Sequence, residues 1–138
     1  MERCLNVSNV MLYAQIICRA SAGTLLIIIA VISLVPAQYR PATVLPHVLE
    51  HLPIFLATGV VFGVGYPERR LFQFVALLSF TAAIELAQLL IPGRHARLSD
   101  FLVDALGISA GLLIGSFALA KLAQSQPLER ATSRSARG

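Results

Sequence analysis

The 138-residue chain is 57% hydrophobic and 13% charged, about half the charged share of a typical soluble domain. A soluble fold of this length has too little interior to hide so much apolar surface, whereas a bilayer is itself an apolar solvent. The net charge of +4 comes from arginines placed between apolar runs and near the end of the chain. That arrangement suits an anionic membrane leaflet and excludes a basic nucleic-acid-binding face, so membrane lipids are the expected neighbours and no nucleic acid is expected. Cys4 lies in a short polar start and Cys18 in an apolar run, which points to free thiols and not to a disulfide framework.

Four apolar runs follow in chain order, each near the roughly 20 residues that cross about 30 Å of hydrocarbon. Residues 1–15 read as a short N-terminal segment. The first run extends from Ile16 to Val35 and stops at Pro36; it is too long for the core of a cleaved signal peptide. A second starts near His47 or His51 and ends at Tyr66-Pro67, and a third runs from Leu71 to Ile91 before Pro92-Gly93. The fourth opens at Ser99-Asp100 and fades near Leu122, with Ser99 as N-cap and Asp100 at the positive end of the helix dipole. Residues 123–138 read as a disordered, basic tail. The expected fold is therefore all-α, a four-transmembrane-helix bundle over residues 16–122.

Lysine and arginine placement orients it. With the N-terminus inside, Arg3, Arg19, Arg69, Arg70, Lys121, Arg130, Arg134 and Arg137 share one side, against Arg40, Arg94 and Arg97 on the other. This asymmetry predicts both termini in the cytoplasm. Tyr13, Tyr39 and Tyr66 fall near expected helix ends, where amphipathic rings prefer to sit.

That topology gathers most of the remaining polar residues at the outer face. Glu50 and His51 open the second helix there, Glu85 and Gln88 lie near the end of the third, Asp100 and Asp104 begin the fourth, and Arg94, His95 and Arg97 lie in the connecting loop. Glu85 sits about 10 Å and Asp104 about 7–8 Å along a helix from the nearest end, by the rise per residue. An unpaired carboxylate at such depth costs on the order of 2–3 kcal/mol or more. Glu85 and Gln88 share a helix face, as do Asp100 and Asp104. The latter face continues into Gly107, Gly111 and Gly115, and Gly59 and Gly63 form a similar seam on the second helix, both suited to close helix packing.

Two readings of the cluster weigh equally on this pattern. Arg94 or Arg97 could reach down to Glu85 or Asp104 and lock the helices, or the set could bind a ligand. His51 reads more readily as a histidine bonded to a backbone carbonyl than as a metal ligand, since a metal site needs three or four oriented donors. No metal or cofactor is expected, and no nucleophile motif or phosphate-cradling loop is present.

The stretch Glu85-Leu-Ala-Gln88-Leu-Leu-Ile-Pro92-Gly93-Arg94, followed by Ser99-Asp100-Phe-Leu-Val-Asp104 and glycines at 107 and 111, resembles the VanZ-like family of small bacterial membrane proteins. Ser33-Leu-Val-Pro36 and Glu50-His51 are weaker matches, and the resemblance extends from about Arg19 to Leu122. Family members often carry Asn where this chain has Asp104. The resemblance implies a four-helix membrane domain of the bacterial cytoplasmic membrane, from a family whose namesake is tied to teicoplanin resistance, and it supplies no reaction. Three functions follow as expectations: a non-enzymatic protein binding a lipid-linked envelope precursor through the outer cluster, a membrane-embedded enzyme acting on such a lipid, or a small transporter assembled as a homo-oligomer through the glycine seams.

Overall fold

The computed structural model describes the backbone of residues 2–36, 39, 47–91 and 97–135, and the side chains of residues 9–36, 39, 51–91 and 97–124. All regular structure among them is helical: α1 (Glu2–Leu34), α2 (His47–Gly65), α3 (Arg70–Gln88) and α4 (Leu98–Ser135). The outer two helices are longer than the sequence pattern predicts. Helix α1 starts at Glu2, so Tyr13 lies inside a helix and not at its end, because no glycine or proline precedes Gly23 to interrupt it. Its C-terminus meets the expectation: Pro36 disfavours helical geometry at the residue before it. Helix α4 continues to Ser135, through most of the segment expected to be disordered and past Pro127, with alanine, leucine, glutamine, glutamate and arginine as good helix formers on either side of it.

Among the described residues, length and composition qualify three helices to cross a membrane: Asn9–Leu34, Arg70–Gln88 and Leu98–Gln124. The part of α2 whose side chains are described, His51–Gly65, is an apolar stretch shorter than these. Burial is inverted relative to a soluble protein. Among the described residues, nine buried side chains are polar or charged and eight are apolar. Meanwhile Ile27, Phe72 and Leu113 are 66%, 69% and 72% exposed. An exterior of this kind needs an apolar solvent.

Helices α2 and α4 run parallel and make the closest contact in the molecule. A methyl group built on Gly59 would lie 2.5 Å from the Ile108 carbonyl oxygen, and one on Gly115 would lie 2.5 Å from that of Val60. Gly63 and Gly111 are as tightly placed against Leu112 and Leu56, and Gly107 faces Leu52 and Phe55. The five glycines thus form one interface within the chain. The two seams that the sequence offers to a second copy therefore meet each other within one chain.

Helices α1 and α3 run antiparallel to this pair and close a small core of Ile29, Phe55, Leu77, Ile108 and Leu112. Hydroxyls within the bundle bond to their own helices: Thr58 Oγ1 donates to the Ile54 carbonyl at 2.7 Å and Thr81 Oγ1 to that of Leu78 at 2.9 Å. At the end of the bundle where α2 meets α3, Arg19 Nε donates to the Gly65 carbonyl at 2.7 Å, and its guanidinium lies 5.3 Å from the Tyr66 ring centre. A cation placed on the last carbonyls of α2 suits the negative end of that helix. Gln73 Nε2 donates to the Tyr66 carbonyl and ties α3 back to the same turn.

Candidate functional site

At the opposite end of the bundle, three helices bring together side chains from far-apart segments. His51, in the first turns of α2, is buried and stacks on Phe55 one turn later, with ring centres 6.0 Å apart. Asp104, in the second turn of α4, is 2% exposed. The two meet at 3.2 Å through His51 Nδ1 and Asp104 Oδ1. With Asp104 ionised, its carboxylate can only accept, and the ring nitrogen is then the donor. Glycine packing makes the pair possible, since Gly107 lies one turn below Asp104 and lets α4 approach Leu52 and Phe55.

Glu85 enters from α3 and is 7% exposed. Its Oε2 accepts a hydrogen bond of 3.3 Å from the backbone N–H of Arg97. Arg97 occupies the N-cap position of α4, because its carbonyl accepts the first helical bonds, from Asp100 N–H at 3.0 Å and Phe101 N–H at 3.3 Å. The cap therefore lies two residues before the expected Ser99. Ser99 Oγ instead donates to Asp100 Oδ1 at 3.2 Å. A carboxylate from α3 thus satisfies a backbone donor at the start of α4 and stands near the positive end of that helix's dipole. Asp100, Asp104 and His51 lie within electrostatic range of Glu85.

The expected residues are placed as follows. His51, Glu85, Asp100 and Asp104 converge, and Gln88 is buried on the Glu85 face one turn nearer the end of α3. Arg97 joins them through its backbone, and its side chain is exposed and makes no ion pair among the described residues. Arg94, His95 and the side chain of Glu50 lie outside the described residues. No group of three or more metal-binding side chains forms among the described residues.

The chain matches no family model, no curated protein and no solved structure.

Sequence reasoning missed a second feature. Between α3 and α4, toward the other end of the bundle, lies an open crevice of about 470 Å³ lined by Arg70, Leu71, Phe74, Ser109, Leu112, Leu113 and Ser116. Serines seven residues apart share a helix face and leave room there, which is the only signal the sequence carries for it.

Proposed function

We propose that this is a four-span protein of the bacterial cytoplasmic membrane, with both termini in the cytoplasm, whose outer-face cluster binds the polar headgroup of a lipid-linked envelope ligand. The buried His51–Asp104 pair beside Glu85 carries the reading. Ionisable side chains are expensive at this depth and are kept where they pair with each other or meet a ligand. Carboxylates and the Gln88 amide would bond sugar hydroxyls or an amine, and the exposed Arg97 guanidinium would meet a phosphate. The resemblance to the VanZ-like family supports the four-span arrangement and the membrane; the teicoplanin phenotype is not part of the proposal.

The histidine–carboxylate hydrogen bond favours one second reading. In a membrane-embedded enzyme, Asp104 would hold His51 in the orientation of a general base acting on a lipid-linked substrate. Native mass spectrometry of protein released directly from membranes, compared with Glu85→Gln and Asp104→Asn, tests the proposal. A co-purifying lipid lost in both variants at unchanged protein abundance is the expected result. Unliganded wild-type protein, or a collapse in abundance of both variants, would leave the cluster as a lock between helices.

A further inference from the structure

The α3–α4 crevice joins a basic group to an apolar trough. Its mouth is Arg70, the first residue of α3, and its walls are Leu71, Phe74, Leu112 and Leu113, with Ser109 and Ser116 at the positions where larger side chains would fill it. Ser109 Oγ already donates to the Ala105 carbonyl at 2.6 Å, so that hydroxyl has its donor bond made within α4. From Ser109 to Ser116 the trough follows about 10 Å of helix axis. A volume of about 470 Å³ falls within the range of small-molecule sites. The gap exists because α4 spends its glycine face on α2 and meets α3 with a different one.

Charge says what enters. Of the five basic side chains described, Arg19, Arg69, Arg70 and Lys121 lie at this end, with Glu68 the one described acid beside them. Helix α3 also begins here without a side-chain cap and with no acidic residue in its first turn, so its N-terminal amides add positive potential.

We propose that this crevice holds one acyl chain of an anionic phospholipid, with the lipid phosphate paired to Arg70 at the mouth. The chain would replace bulk lipid along Phe74, Leu112 and Leu113, and the headgroup would satisfy the charge and the open end of α3. This site is at the opposite end of the bundle from the headgroup-binding cluster, and neither depends on the other.

The test uses the full chain in nanodiscs containing equal parts phosphatidylglycerol and phosphatidylcholine, followed by native mass spectrometry of the retained lipid. The expected result is one tightly held phosphatidylglycerol per protein. Arg70→Gln, at an exposed position, should reduce the preference for phosphatidylglycerol over phosphatidylcholine by roughly fivefold. Ser109→Leu, which fills the trough, should lower retention of both lipids. Equal preference in wild type and Arg70→Gln overturns the proposal. So does retention unchanged by Ser109→Leu, which would mean the bound lipids are only the surrounding shell.

Discussion

Glu85 acts on two helices at once. It is rooted in α3, yet its carboxylate accepts the N–H of the residue that starts α4. Replacing the carboxylate by an amide keeps an acceptor, whereas a leucine of similar size leaves that N–H without one. Glu85→Gln should therefore cost about 1 kcal/mol and Glu85→Leu about 2–3 kcal/mol, the penalty for stranding a buried donor. Thermal unfolding of detergent-solubilised protein would check the order; equal losses would show that charge, and not hydrogen bonding, is what matters there. The same logic applies at Asp104, where asparagine can still accept from His51 Nδ1 and leucine cannot. Depth along the helix made both carboxylates legible in the sequence as residues needing partners. Their partners were not legible. At Arg97 the contact with Glu85 uses the backbone N–H, and only the placement of α3 against α4 determines that.

At the scale of the helices, glycine spacing identified the right faces and left open what they meet. A four-residue repeat fixes a stripe on one helix, but whether the stripe faces a neighbour in the chain or a second copy depends on the tertiary arrangement. Here α2 and α4 meet through it, with a methyl group on Gly111 landing 2.8 Å from Gly59 Cα and from Val60 N. Backbone on both sides cannot give way as a side-chain tip could. Gly111→Ala should destabilise by about 1–3 kcal/mol through overpacking. Gly23 in α1 has nothing within 4 Å of the same position. Gly23→Ala should be neutral or stabilising by up to about 0.5–1 kcal/mol, since alanine loses less backbone entropy in a helix. Unfolding of the two variants side by side separates the glycine that packs from the one that does not. Helix ends divide in the same way: the proline after α1 was a local signal, while the extension of α4 to Ser135 runs through Pro127, which in a sequence reading marks a break.

For the whole molecule, polarity is arranged twice. Radially, apolar side chains face outward and polar ones inward. Along the axis, four of the five described basic residues gather where α2 meets α3, and three of the four described acids, Glu85, Asp100 and Asp104, gather at the start of α4. The carboxylates are steadied by the positive end of α4, and Arg19 by the carbonyl end of α2. Such an axial separation has a direction in a membrane, because basic residues are retained on the cytoplasmic side during insertion. In a chain with Cys4 and Cys18 replaced, a cysteine at Arg97 should react with a membrane-impermeant maleimide added to intact cells. One at Arg69, equally exposed in the fold, should react only after permeabilisation. The reverse pattern would place the acidic cluster in the cytoplasm, removing its access to any ligand on the outer face while leaving the basic crevice end pointed at the opposite leaflet. Labelling of both sites from outside would mean that α3 does not cross the bilayer, despite its 19 apolar-rich residues.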